Sequence, residues 1–508
     1  MRVGRLVLVG LASALAGCAS VPGDPFAAPP VADHLQRADA VGDCARRLRT
    51  LDRQIGAAGV RDAQDTVIAG FPYLRIDRSG VTLRPPVDDE VRWQAWRARL
   101  ADADRDARRH ELRNAGSSAS AWLDACRRTL LAADDAAAAR AALAAAAQVP
   151  DDYSRTLRAL GLYPLTRLAF AAGVAGWQRE TTAIFSLPLD QLPLRGPLRP
   201  YAPPAEVGPG LAAALERAQG IAGSPRDALG LPRPAALAAL LLRHAPHIEV
   251  EETGEYDRIG PLVLAGDDPQ ARVDLAAEPT AYVRVGHALF GGRWRLQLVY
   301  TFWFSQRPPR GVLDPLAGEL DALIWRVTLD DEGNALVYDS IHACGCYHLF
   351  FATPQVQPRS ERPPGQGRLD EGLFMPQAPL PRARVDERIV LRVESGSHYL
   401  QRAMLRADRA EALADAGAAR RYALRDEDEL RSLPVAGQVG VTRSAYDASG
   451  MIPGTERLER WLFWPMGIAS AGQMRQWGRH ATAFVGRRHF DDPLLLDRYF
   501  TLSTAEPQ

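Results

Sequence analysis

The sequence predicts an α+β protein: an N-terminal helical bundle followed by a β-rich antiparallel domain of sandwich or barrel-like form. Three observations carry that expectation. Apolar residues recur at helical spacing through residues 34–180, and from about residue 248 the spacing changes to alternation. The first alternating stretch, TAYVRVGHALFGGRWRLQLVYTFWF, is centred on Gly291-Gly292, a two-residue hairpin turn. A chain of 508 residues is long for a single core, and its 47% apolar and 24% charged content is that of a folded protein.

In the helical part, Cys44, Leu48, Leu51 and Ile55 form one apolar stripe. DDEVRWQAWRARLADADRDARRHELR is a second helix, with Asp88 and Asp89 near its start and Trp93, Trp96 and Leu100 along one side. A third carries Trp122, Leu123, Cys126 and Leu130 on its inner face, and a fourth covers PLTRLAFAAGVAGWQRE. Four such faces pack most simply as a bundle. Cys44 and Cys126 sit on the stripes of different helices, so they are either a disulfide across the interface or two buried thiols.

Residues 181–247 are rich in Pro and Gly, with one helical insert, and read as a junction. The EVGPGLAAALERA stretch within it imitates a dinucleotide loop, but no apolar strand precedes it, so it reads as a turn that starts a helix. Residues 248–508 form the β-rich domain with a mixed C-terminal segment. Pairing across Gly291-Gly292 sets Val283, Val285, His287 and Leu289 on one face with Trp294, Leu296, Leu298 and Tyr300. A second hairpin turns at Glu332-Gly333, with Leu329 opposite Leu336, Val327 opposite Tyr338, Trp325 opposite Ser340 and Leu323 opposite His342. RIVLRVES and VGVTRSAY are further extended segments.

Charge excludes several classes of function. Acidic and basic residues cancel at 61 each, so no net field favours nucleic acid, and YTFWF alternates as strand core without a basic stripe beside it. Every basic residue other than histidine is arginine. Without lysine there is no GxxxxGK phosphate loop, no lysine Schiff base, no Ser-x-x-Lys nucleophile and no protein-kinase chemistry. Neither GxSxG nor HExxH occurs.

The N-terminus carries an address. MRVGRLVLVGLASALAGC has Arg2 and Arg5 ahead of a short apolar run, then small residues before Cys18. This resembles a bacterial lipoprotein signal peptide. The resemblance covers only about the first twenty residues. It implies removal of residues 1–17, lipidation (palmitate and related acyl chains) of Cys18 as the first mature residue, and anchoring in the lipid bilayer. With Ala19 and not aspartate next, it implies the periplasmic face of the outer membrane. Residues 18–33 then form a lipidated Pro-rich tether of low packing potential.

The densest chemistry is YDSIHACGCYHLFF, with His342, Cys344, Cys346 and His348 alternating around Gly345. As one extended strand it places Ser340, His342, Cys344 and Cys346 on the core face and His342 about 20 Å from His348, too far for a common metal ion. A reversal at Gly345 would gather them. Three readings stand: a Zn or Cu site, with His287 and His398 as further candidate ligands; a Cys-x-Cys redox disulfide; and an inert role, either as a structural crosslink to another segment or as thiols packed in the core. A second cluster of His480, His489, Asp491 and Asp492 reads as a charged surface helix stopped at Pro493.

No catalytic motif accompanies the anchor. The expectation is a periplasmic lipoprotein that binds a polymer or protein partner of the envelope without catalysing a reaction. The rival is a metal-dependent or thiol-redox protein centred on HACGCYH.

Overall fold

The computed structural model describes residues 23–117, 121–219, 225–266, 270–407 and 419–503. The signal segment and Cys18 lie outside the described residues. The protein is a mixed α+β structure.

Asp39 starts α1 (Ala40–Ala57) by accepting from the backbone N–H groups of Val41 and Gly42, and Cys44, Leu48, Leu51 and Ile55 are all buried. α2 (Glu90–Asn114) begins at its cap Asp89 and buries Trp93, Trp96 and Leu100. α3 (Ala121–Ala133) buries Leu123, Cys126 and Leu130, with Trp122 half-buried. A disulfide joins Cys44 to Cys126 across the α1–α3 contact.

Three features of this half depart from the expected pattern. A β-hairpin of Thr66–Ile68 and Phe71–Ile76 interrupts the helices, and the second strand is buried at every position. Its run FPYLRI shows no period, which suits a strand covered on both sides. The fourth helix, α4 (Tyr163–Ser186), buries only Phe185, and that ring joins the core of the β-rich half. The tether packs as well: Phe26 and Val31 are buried in the helical core, and Gly70 bonds backbone to backbone with Pro25 and Val31.

Two sheets organise the rest, built from β1 (Leu198–Ala202), β2 (His247–Glu251), β3 (Thr280–Phe290), β4 (Arg293–Arg307), β5 (Gly318–Leu329), β6 (Ala335–His342), β7 (Leu349–Ala352), β8 (Glu387–Val393), β9 (Leu400–Ala407), β10 (Arg420–Arg421) and β11 (Ala423–Asp426). The first runs β7-β6-β5-β4-β3-β11, antiparallel except where β11 lies parallel to β3. The second runs β9-β8-β2-β1-β10, with β8–β2 and β1–β10 parallel. The β-rich half is therefore mixed rather than purely antiparallel, and neither sheet closes into a barrel. β1 belongs to the segment read as a junction, so that segment is woven into a sheet. VGVTRSAY contributes only the two-residue strand Thr442–Arg443.

In the first hairpin all four expected pairs occur: Val283 with Tyr300, Val285 with Leu298, His287 with Leu296, and Leu289 with Trp294. Gly291 and Gly292 both have positive φ, as a tight primed turn requires. In the second hairpin Tyr338, Ser340 and His342 face Val327, Trp325 and Leu323 as expected. A bulge at Ala335–Val337 sets Leu329 opposite Ala335 rather than Leu336.

The first sheet is covered on both faces. Val283, Leu298, Tyr300, Trp325, Tyr338 and Phe351 pack with Ile248, Val250, Leu391 and Val393 of the second sheet. Tyr282, Val299, Trp303, Ile324 and Ile341 pack beneath Leu262, Leu430, Met474 and Phe490. Residues 446–503 supply much of that second cover, with little regular structure of their own.

The disulfide closes a separation of 82 residues. Cross-linking a chain over that length restricts the unfolded state by about 4 kcal/mol in the loop-entropy model. Replacing Cys44 and Cys126 together by Ser should lower the unfolding free energy by about 2–4 kcal/mol, measured as a lower urea midpoint.

Candidate functional site

The HACGCYH stretch is the turn of a third hairpin. β6 ends at His342, Gly345 N–H donates to His342 O at 2.8 Å, and His342 N–H donates to Cys346 O at 3.0 Å. The chain then returns as β7, with Ser340 opposite Leu349. Gly345 has φ +91°, and a Cβ there would lie 2.5 Å from the carbonyl oxygen of Ala481, so no other residue fits. Tyr347 follows in the left-handed region at φ +63°.

This reversal corrects the single-strand placement. Ser340 and His342 keep the expected face beside Trp325 and Leu323. Cys344 and Cys346 leave the strand and join the opposite core, with Ile341 and Met474. His348 also turns to that opposite face, where its Nε2 lies 2.9 Å from Asp339 Oδ2 and its ring stacks on Phe350. The two imidazoles thus sit on opposite sides of the sheet. Among the described residues no group of three or more His, Cys, Asp or Glu is arranged to hold a metal ion. Of the four candidate ligands, the fold brings together only the two cysteines.

Those cysteines are buried, unpaired by disulfide, and hydrogen-bonded to one another. The bond from Cys346 lowers the pKa of Cys344, and the same bond together with burial pushes Cys346 well up. Of the two, Cys344 is the thiol more readily ionised.

The other histidines go elsewhere. His287 lies on β3 opposite Leu296, its pKa pushed down to about 3 by burial and by Arg99. His398 is fully buried in the β8–β9 turn at φ +52°, stacked on Phe304 with centroids 3.9 Å apart. The C-terminal polar cluster is not a surface helix. His480 is buried, Asp491 pairs with Arg78 at 2.9 Å, and His489 lies 3.4 Å from Asp151. Asp491 and His489 clamp the C-terminal segment onto the helical half.

His398 joins His342 through a residue that the sequence pattern did not single out. Asp321, at the start of β5, lies 3.3 Å from His342 Nδ1 and 3.0 Å from His398 Nδ1, and its Oδ1 accepts the Ala322 N–H at 3.0 Å. Arg457 Nη2 is 3.5 Å away, and His398 Nε2 reaches Asp257 Oδ1 at 3.4 Å. Burial alone would raise the Asp321 pKa, but His342, Arg457 and His398 outweigh it and hold the carboxyl well below its usual range. Burial lowers His342, whereas His398 is raised by its two carboxylates against the same burial. The two carboxylates thus favour the cationic form of His398, while burial favours the neutral form of His342. In that state His342 donates Nδ1–H to Asp321 and leaves Nε2 bare.

Two neighbouring spaces lie beside His342 and share three lining side chains. A recess of about 30 Å³ is lined by Ser340, His342, Thr181, Tyr347, Tyr399 and Trp177. The last three also line a cavity of about 500 Å³. One wall of the cavity is a single face of α4: Ala169, Phe170, Gly173, Val174, Trp177 and Gln178. Opposite are Cys344, Cys346, Phe374, Phe463 and Phe484. This explains why α4 buries so little against protein: its apolar face borders open space. Polar groups on the wall are few, chiefly Glu371, Glu459, His348 and Arg488. Arg488 is spent on Thr482 and Gly372, while burial raises Glu371 and pushes Glu459 up to about 7.

Comparison with protein-family models, curated proteins and solved structures finds no match. The site alone therefore carries the functional argument.

Glu459 titrates near 4.5 when unfolded and near 7 in the fold. Between those values the folded protein holds a proton that the unfolded chain has released, so stability falls as pH rises from about 4.5 to about 7. The loss amounts to about 3 kcal/mol. Glu459→Gln should raise the melting temperature at pH 8 relative to the parent and leave it unchanged at pH 4.5.

Proposed function

We propose that this is a lipoprotein anchored through Cys18 at the periplasmic face of the outer membrane, and that it binds an apolar or amphipathic ligand of the envelope in the cavity beneath α4. The helices α1–α3 are read as a bundle and the two sheets as the layers of a sandwich that frames the cavity. One observation carries the binding reading. A space of about 500 Å³ lies between α4 and the β6–β7 turn, walled by aromatic and aliphatic side chains with a few polar groups. That volume and lining are typical of small-molecule sites. The lipobox-like N-terminus supports the location, and no helix among the described residues is long and apolar enough to cross a membrane.

A thiol-redox role is the second reading, favoured by one specific feature. Cys344 and Cys346 lie as free, neighbouring thiols on the cavity wall, where an oxidant admitted to the cavity meets them. Zinc or copper binding loses ground, because the histidines that would complete the ligand set point to opposite faces.

The binding reading is tested with an environment-sensitive apolar fluorophore. Gly173 lies on the cavity wall, and the space where a Cβ would stand is open, so Gly173→Phe adds bulk there without a clash and without helix-breaking cost. It should weaken fluorophore binding at least tenfold and leave the melting temperature unchanged; equal affinity in both proteins would refute the site. Cys18→Ala should abolish palmitate incorporation and release the protein from membranes into the soluble periplasmic fraction.

A further inference from the structure

We propose that the recess is an ester-hydrolysing site in which Ser340 is the nucleophile, His342 the general base and Asp321 the residue that orients it, acting on carboxylic esters whose apolar acyl chain lies in the cavity. The proposal rests on the binding reading above and extends it from holding a ligand to cleaving one.

The strand register places the three groups in a row. Leu323 on β5 is paired with His342 on β6, and Trp325 with Ser340. Asp321 therefore lies two residues beyond the His342–Leu323 pair on one side and Ser340 two residues before it on the other, all on the same sheet face. The His342 imidazole stands next to Ser340 along the strand on this face. Its Nδ1 faces Asp321 at 3.3 Å, and both His342 and Ser340 line the recess. With Nδ1 engaged, Nε2 is the ring nitrogen left to act as the base. These are the three kinds of group that hydrolases with an activated serine use, drawn here from neighbouring strands and without the usual elbow motif. Apo geometries of such groups are commonly looser than those of the working complex.

Asp321 is well fixed for the task. It is fully buried and held by Ala322 N–H, His398 and Arg457. An electrophilic donor is present too. Tyr399 Oη accepts from Arg307 Nη2 at 3.1 Å and interacts with the Tyr347 hydroxyl, so its own proton remains for an oxyanion formed in the recess. Tyr347, Tyr399 and Trp177 line both spaces, so an acyl chain in the cavity would bring its carbonyl carbon to this threshold.

The chemistry closes without a co-reactant other than water. Ser340 Oγ adds to the ester carbonyl carbon while its proton passes to His342 Nε2. The tetrahedral intermediate collapses, the C–O bond to the alcohol breaks, and the alcohol leaves with that proton. Water then gives a proton to His342 and its oxygen to the acyl carbon. The carboxylic acid departs, and Ser340 regains its proton from His342.

The test treats the purified mature protein with two fluorophosphonates, one bearing a long alkyl chain and one a short ethoxy group, and maps the adduct by peptide mass spectrometry. The expected result is a single adduct on Ser340, formed at least tenfold faster with the long-chain reagent. It should be absent in Ser340→Ala and at least 100-fold slower in His342→Gln. Long-chain p-nitrophenyl esters should be hydrolysed in parallel. Asp321→Asn should lower kcat at least 100-fold with KM within twofold, a split that a general loss of folding would not produce. Wild-type protein that binds the apolar fluorophore yet takes no label on Ser340 from either reagent overturns the catalytic proposal and leaves the binding reading standing. Short-reagent labelling of Ser340 without fluorophore binding keeps the nucleophile and overturns the acyl-chain assignment. Ser340→Ala that retains fluorophore binding and loses hydrolysis separates the two roles directly.

Discussion

A side chain at position 345 would collide with the backbone carbonyl of Ala481, 2.5 Å from where its Cβ would stand, and φ there is +91°. Glycine at that point lets β6 reverse tightly against the C-terminal segment, and much of the candidate site follows. His342 becomes the last residue of its strand, facing the recess. Cys344 and Cys346 are carried out of the strand into the cavity wall, and Tyr347 enters the left-handed region with its ring between recess and cavity. His348 emerges on the far side of the sheet. A continuous strand would have spread these groups along some 20 Å.

Around that turn the interior is polar to an unusual degree, and arginine makes it tolerable. A buried carboxylate is costly unless paired and hydrogen-bonded. Asp321 is met by Arg457 and two imidazoles, and Asp339 by Arg326 and His348. In the helical half Asp104 and Glu111 are met by Arg75, Arg108 and Arg127. The guanidinium, planar and always charged, is the cation suited to such sites, and a chain without lysine uses it throughout. The histidines divide by environment: His398, between two carboxylates, is raised, while His342 and His348 are depressed by burial.

Part of the site was readable from the pattern of residues. The stretch 338–351 stood out by composition, and the register of β5 on β6 was correct from Tyr338 to His342. That register already held the signal for Asp321: two residues before Leu323 and on the same face, it had to lie diagonal to His342. A single aspartate at the start of a strand forms no motif, whereas the dense His and Cys run nearby suggests metal ligation. His398 was singled out, but as a ligand and not as a neighbour of a carboxylate. Glu459 and the inner face of α4 left no local mark. Both come to the cavity from segments far from residue 345 along the chain, and α4 has the same amphipathic look whether its apolar face meets protein or open space.

Local rules therefore determined the elements. Helical and alternating periods depend on neighbours a few residues apart, and so do the caps, the Gly291-Gly292 turn and strand register. Tertiary structure decided where those elements went: the hairpin among the helices, β1 drawn from the supposed junction into a sheet, α4 spent on a cavity, and two histidines of one short motif sent to opposite faces. The reason is that burial, pairing of charge and the space left between packed layers depend on contacts between residues hundreds of positions apart, which no local period records.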